Sequence, residues 1–123
     1  MNYFAIPGIK YRPKIRRDIT PEQINAAVCG YFGLSPELTK KKSRKRDVVE
    51  AKYVAIWLIR KYNRQITLVT IGQHFGGLDH TTVMYGIRQI NRFLKIEDRS
   101  ISSAIRFMEN EIDGYSTIKT FSA

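Results

Sequence analysis

The feature that most constrains this chain is a pair of adjacent glycines, Gly76 and Gly77, between a short amphipathic segment and a longer one. Residues 71–83 read Ile-Gly-Gln-His-Phe-Gly-Gly-Leu-Asp-His-Thr-Thr-Val, so the chain turns sharply and a second helix begins at once, capped by Asp79. The first turn of a helix has free backbone N–H groups, and here it carries short polar side chains that can meet bases and phosphates. The pattern predicts the corner of a helix-turn-helix.

The charge of the chain is basic and unevenly distributed. The net charge is +10, and residues 1–46 carry 11 Lys and Arg against 3 acidic residues, whereas residues 97–123 carry 3 against 5. A basic balance concentrated in one part of a chain is typical of a protein that binds a polyanion. Charge alone leaves DNA, RNA, an anionic membrane and a generally basic soluble protein as alternatives.

Other features of the composition indicate an intracellular protein. No apolar run approaches the roughly 20 residues of a membrane span, so we expect no membrane partner. The first residues lack a basic region followed by an apolar stretch, which disfavours a secretory signal. The one cysteine, Cys29, cannot form an internal disulfide and falls within an apolar helical pattern, where it is most simply a core residue.

Apolar residues recur at spacings of three and four, which predicts an all-α bundle with five main helices and one short one. The sequence has no run of alternating polar and apolar residues long enough to predict a β-strand. The predicted helix starts are Thr20-Pro21 with Gln23, Ser35-Pro36, Asp47, Thr67 and Asp79. The predicted breaks are Gly33, the loop 40–46, residues 98–100 and Gly114.

The same pattern divides the chain into three segments. Residues 1–18 contain Pro7, Pro13 and five cations, so we expect an extended basic arm. Residues 19–113 form the helical domain, and residues 114–123 form a polar tail released by Gly114.

The histidine and carboxylate residues do not have the spacing of a catalytic site or a metal-binding site. His74 and His80 are six positions apart with no second cluster of ligands, which is not a zinc spacing. Asp79 and His80 are neighbours, and side chains of neighbours on a helix point about 100° apart, so we expect no direct couple between them. No phosphate-binding glycine loop is present. We therefore expect no enzyme activity, cofactor, metal or nucleotide.

A helix-turn-helix gives the polar residues at the corner one common role. The helix from Asp79 would lie in the major groove, where His80 meets a base edge and the methyl groups of Thr81 and Thr82 contact thymine. Arg88 and Arg92, one turn apart, could reach phosphates. The alternative is that Asp79 and Thr82 only cap the helix while Thr81 faces solvent.

From about Thr20 to about Leu94 the chain resembles the C-terminal DNA-binding domain of the bacterial chromosomal replication initiator DnaA. Residues 75–83 carry the signature Phe-Gly-Gly-x-Asp-His-Thr-Thr-Val of that family without a gap. The basic loop ending at Ser43-Arg44-Lys45-Arg46 and the helix from Asp47 follow in the expected order. The resemblance implies an all-α domain with a helix-turn-helix that binds a short element of duplex DNA.

The resemblance also implies a role for each exposed segment. Arg44 would enter the minor groove from the basic loop, and the start of the long helix would read the major groove through Asp79, His80 and Thr81. Thr82, Arg60 and the start of the helix at Thr67 would hold phosphates. With the neighbouring positions, the candidate DNA-contacting residues are Arg44, Lys45, Arg46, Lys52, Tyr53, Arg60, Thr67, Leu78, Asp79, His80, Thr81, Thr82 and Arg88.

The chain departs from the family pattern at three of these positions. Lys52 and Tyr53 stand where the family has Arg and Gln that read bases, and Leu78 stands where it usually has Arg. Lys does not reproduce the fork of Arg on guanine, and Tyr does not pair bidentately with adenine, so we expect a different DNA preference. Only about 20 residues precede the first helix, so we also expect a stand-alone chain without the ATPase module of the initiator. Such a chain would be a phage, plasmid or other mobile-element protein, or a diverged regulator.

Two functions remain open at this stage. The first is sequence-specific binding of double-stranded DNA in replication initiation or control, or in transcription regulation, by a cytoplasmic, nucleoid-associated protein. The second is a non-enzymatic adaptor for an unknown protein partner, or an RNA-binding module, on the same fold. The outward positions Arg88, Gln89 and Arg92 are polar, which favours the first function.

Overall fold

The computed structural model describes the backbone of residues 19–122 and the side chains of residues 19–113. Its elements are α1 Pro21–Phe32, a 3-10 helix Pro36–Lys40, α2 Arg46–Tyr62, α3 Leu68–His74, α4 His80–Lys95 and α5 Arg99–Ser122. No strand occurs within residues 19–122, which confirms the predicted all-α class. None of the described helices is long and apolar enough to cross a membrane. The predicted basic arm, residues 1–18, lies outside the described residues.

The core of the domain surrounds α2, which packs against α1, α4 and α5. Ala51, Val54, Ala55 and Leu58 are fully buried along one side of α2, as are Ile56 and Ile59 on another side of the helix. Neighbouring helices therefore cover α2 on several sides. Burial of one such Leu or Ile side chain stabilises a fold by about 1.5–3 kcal/mol, so this helix contributes substantially to the stability of the domain.

Three helix ends have the predicted geometry. Thr20 forms a capping box, in which its hydroxyl accepts from the Gln23 N–H (3.1 Å) and the Gln23 amide oxygen accepts from the Thr20 N–H (2.9 Å). Gly33 ends α1 in the left-handed conformation with φ 73°. Thr67 caps α3 by accepting from the Thr70 N–H at 3.1 Å.

Three predicted boundaries are wrong. α2 begins at Arg46 with Lys45 as its N-cap, and Asp47 lies in the first turn, where its charge still favours the helix dipole. Asp98 accepts from the Ile101 N–H (3.0 Å), so α5 begins at Arg99 rather than after residue 100. α5 also continues through Gly114 to Ser122, because one glycine costs only about 1 kcal/mol in a helix and no proline follows it.

The corner between α3 and α4 depends on two glycines with positive φ, 85° at Gly76 and 88° at Gly77. The carbonyl of Gly72 accepts from the N–H groups of Gly77 (3.0 Å) and Leu78 (2.9 Å), which closes the end of α3. A Cβ atom on Gly76 would lie 2.1 Å from the carbonyl oxygen of Lys40. The corner therefore rests directly on the end of the 3-10 helix, immediately before the basic loop.

The two glycines provide a matched test of this contact. Alanine at either position adopts the left-handed conformation at a cost of about 1–2 kcal/mol. Gly76→Ala also overlaps the Lys40 carbonyl, whereas a Cβ on Gly77 meets nothing within 4 Å. We expect Gly76→Ala to lower the free energy of unfolding in urea by about 1–3 kcal/mol more than Gly77→Ala, the usual cost of overpacking. Equal losses for the two variants would contradict the close contact.

Candidate nucleic-acid interface

The start of α4 presents a cluster of exposed polar side chains. Asp79, His80 and Thr81 are exposed, and Thr82 is half-buried. Asp79 occupies the N-cap position but makes no side-chain cap bond to the backbone. Its carboxylate oxygen Oδ2 instead accepts from the Thr81 hydroxyl. That hydrogen bond, with a smaller contribution from His80, holds the pKa of the Asp79 carboxyl below its ordinary value.

Asp79 and His80 approach each other without a hydrogen bond. Oδ1 of Asp79 lies 3.6 Å from Nδ1 of His80, which is too long for a hydrogen-bonded couple. The two side chains come this near because Asp79 has extended backbone angles, φ −66° and ψ 148°, so the 100° spacing of helical neighbours does not apply to it. The corner thus carries one carboxylate that interacts with both a hydroxyl and an imidazole.

The outer face of α4 continues the exposed surface along the helix. Arg88 is exposed, and Arg92 is exposed with its guanidinium donating to Gln89 Oε1 at 3.0 Å. Met84 (38% exposed) and Tyr85 (48% exposed) lie between this pair and the corner, and sequence reasoning did not select them. Their spacing of three and four from Thr81 is the signal that would have placed them on its face.

The basic loop, residues 41–45, connects the 3-10 helix to α2. Arg44 and Lys45 are exposed, which confirms the predicted solvated loop. Arg46 belongs to the first turn of α2, where its Nε lies 3.1 Å from Glu50 Oε2 in an i,i+4 ion pair. The guanidinium of Arg44 forms no salt bridge among residues 19–113 and is the arginine of this loop that is available to a ligand.

Lys52 lies beneath this loop rather than at the surface. Its side chain emerges from α2, and the residue is 7% exposed. Its ammonium Nζ donates to the carbonyl oxygen of Lys41 at 3.2 Å. Burial lowers the pKa of Lys52. The side chain for which the resemblance implied a base contact is therefore directed at the backbone of the basic loop.

Tyr53 is packed between α2 and α4. A Cβ atom on Gly86 would lie 2.8 Å from Cδ1 of the Tyr53 ring, so the ring occupies the space that Gly86 leaves. The ring also meets Tyr85 edge-on with centroids 6.1 Å apart. Burial, with a smaller contribution from Tyr85, raises the pKa of the Tyr53 phenol. Half-buried Tyr53 therefore supports the outer face of α4 through Tyr85.

The remaining candidates surround α3. Arg60 donates from Nη1 to the carbonyl oxygen of Ile66 at 2.8 Å, which brings its guanidinium beside Thr67, the N-cap of α3. Leu78 is half-buried, and its side chain packs against the hydrophobic core. Arg60 and Thr67 thus share one exposed edge, whereas Leu78 serves the packing of the corner.

The structure separates the predicted residues into two groups. Those that are solvent-exposed are Arg44, Lys45, Arg46, Arg60, Thr67, Asp79, His80, Thr81 and Arg88. Those that are buried or half-buried are Lys52, Tyr53, Leu78 and Thr82. Among the described residues, no group of three His, Cys, Asp or Glu side chains is arranged to hold a metal ion.

The known family whose sequence model matches this chain is the bacterial dnaA protein helix-turn-helix, over residues 21–90. The chain belongs to this family. The match extends from the start of α1 into α4 and includes the 3-10 helix, the basic loop and the corner. It confirms the resemblance seen in residues 75–83.

Curated relatives with the name chromosomal replication initiator protein DnaA match over most of the chain. The protein of Gloeobacter violaceus is 37% identical over 113 residues, which cover 92% of this chain and 25% of that protein. The protein of Synechococcus sp. is 36% identical over 75% of this chain and 20% of its own length. The protein of Thermus thermophilus is 38% identical over 70% of this chain and 19% of its own. The chain thus spans a quarter or less of the length of these relatives.

Proposed function

We propose that this DnaA-family domain binds a specific element of duplex DNA and acts in the initiation or control of replication. The observation that carries the proposal is the exposed cluster Asp79, His80 and Thr81 at the first turn of α4, directly after the glycine corner. In a helix-turn-helix that position lies against base edges in the major groove. The relatives that match most of the chain are named as chromosomal replication initiators.

The hydrogen bond between Thr81 and Asp79 gives each residue of this cluster a different proposed contact with the bases. Because the Thr81 hydroxyl donates to Asp79, Thr81 offers its methyl group, which suits the methyl group of a thymine. The Asp79 carboxylate, ionised at neutral pH, accepts from a cytosine amino group. His80 meets the neighbouring base edge with its ring.

A second contact is proposed for the basic loop in the adjacent minor groove. The Lys40 carbonyl abuts Gly76 at the corner, so the loop begins beside the helix that enters the major groove. Arg44 is exposed and carries a weakly hydrated guanidinium, which suits the strong negative potential of a narrow minor groove. Arg60, Thr67 and Arg88 would hold phosphates on either side.

A protein-binding function is the second candidate, because Met84 and Tyr85 expose apolar surface on the same face of α4. An adaptor that uses this face would depend on Met84 and Tyr85 and would be indifferent to the sequence of added DNA.

Transcription regulation, or a role in a phage or other mobile element, would use the same DNA contacts as those proposed for replication control. Those roles differ from replication control in where the bound element lies.

The reading function of α4 has a direct test. We expect His80→Ala and Thr81→Ala each to reduce discrimination between a selected element and unrelated duplex by about 1–3 kcal/mol, the value of one base contact. Binding to unrelated duplex should barely change. Competition measurements with both DNAs provide the comparison.

The matched control on the same helix is Arg88→Ala. Loss of a phosphate contact should weaken binding to both duplexes equally and reduce the slope of log affinity against log salt by about 1. If His80→Ala and Thr81→Ala behave like Arg88→Ala, α4 does not read bases. If all three bind as the parent does, α4 does not contact DNA.

The minor-groove function of Arg44 is tested against Lys41, another exposed cation of the same loop. Arg44→Ala should weaken binding and also abolish the preference for an A·T-rich flank beside the major-groove site. Lys41→Ala should weaken binding without changing that preference, since a strongly hydrated ammonium contributes attraction that does not depend on sequence. Affinities on A·T-rich and G·C-rich flanks measure both effects. Equal losses for the two variants on both flanks would remove Arg44 as a specific contact.

A further inference from the structure

Lys52 lies beneath the basic loop, and its ammonium donates to the backbone of that loop. Lys52 is 7% exposed, and Nζ donates to the Lys41 carbonyl at 3.2 Å. Within residues 19–113 it forms no salt bridge with a carboxylate. A buried ammonium is costly unless it is hydrogen-bonded, so its contact with the loop backbone compensates for the burial.

The residues before the exposed part of the loop are anchored one after another. The Thr39 hydroxyl is fully buried and donates to Oδ1 of Asn25 on α1 at 3.0 Å. The Lys40 carbonyl abuts Gly76 at the corner. The Lys41 carbonyl is held by Lys52 on α2. Lys52 thus provides the last of three successive anchors, and the exposed residues of the loop follow directly.

We propose that Lys52 is a positioning residue, which fixes the basic loop so that Arg44 reaches the minor groove at one set distance from the bases that α4 reads. This inference rests on the proposed function. It gives Lys52 a contact with the loop backbone in place of a contact with a base.

The length of chain between the last anchored residue and Arg44 determines how far Arg44 can move when the Lys52 contact is lost. When Lys41 is free, Lys40 becomes the last anchor, and one residue of chain, about 3.5 Å, is added between the anchor and Arg44. One base-pair step along duplex DNA is about 3.4 Å. Loss of the Lys52 contact therefore lets Arg44 reach a flank that has moved by one base pair.

The test uses two duplexes that differ only in the position of the A·T-rich flank. One is the element selected by the parent protein, and the other has the flank one base pair farther from the major-groove site. For the parent, the displaced flank should weaken binding about tenfold, comparable with one mismatched base pair. Lys52→Met should bind both duplexes within about threefold, because the loop adapts to the displaced flank.

Two variants make the comparison specific. Lys52→Arg keeps a donor at this position and should keep most of the tenfold difference. Lys61→Met changes another lysine of α2, whose ammonium pairs with Glu109 on α5, and should keep the full difference. Urea unfolding is measured for each variant, and if Lys52→Met does not fold, Lys52→Gln replaces it with a polar side chain too short to bridge to Lys41.

The results separate this inference from the proposed function. A Lys52→Met or Lys52→Gln variant that folds and still shows the full tenfold difference overturns the positioning function. A Lys52 variant with altered base preference inside the major-groove site also overturns it, because Lys52 would then be a base reader. A parent protein that selects no element, or is indifferent to the flank, overturns the proposed function itself.

Discussion

One close backbone contact, between Gly76 and the carbonyl of Lys40, joins the two exposed segments of this domain. It brings the end of the 3-10 helix against the corner of the helix-turn-helix, so the basic loop starts where α4 starts. Glycine is strongly favoured at this site, because a φ of 85° strains other residues and a Cβ atom would lie 2.1 Å from the Lys40 oxygen. The relative position of Arg44 and His80 therefore depends on the packing of the corner more than on any contact between their side chains.

Much of the fold could be predicted because its signals are local. The capping box at Thr20, the cap at Thr67 and the glycine corner each involve residues within a few positions, and the structure has all three. The extension of α5 through Gly114 was not predicted, because Gly114 was interpreted as a helix end, although one glycine with no proline after it costs a helix only about 1 kcal/mol. The 3.6 Å approach of His80 to Asp79 was not predicted, because the angular spacing of helical neighbours does not apply to an N-cap residue.

The candidate site was predicted less completely than the fold, since burial of a side chain depends on tertiary contacts. Sequence identified the exposed residues at the start of α4 and in the loop, but not the inward direction of Lys52 and Tyr53. Tyr53 fills a space that exists only because Gly86 has no side chain, and these residues are 33 positions apart. Lys52 and Tyr53, for which the resemblance implied base contacts, thus support the loop and α4 in this chain. In the proposed function, more of the base recognition falls to Arg44 and the first turn of α4.

In the proposed function, the loop and α4 act as one rigid reader of duplex DNA. Selection of bound sequences from a random duplex library tests it most directly. We expect an enriched core, contacted by α4, with an A·T-rich flank at a single spacing on one side. A library with no enriched core would contradict specific binding, and an A·T-rich flank enriched at several spacings would contradict a rigid connection between the two segments.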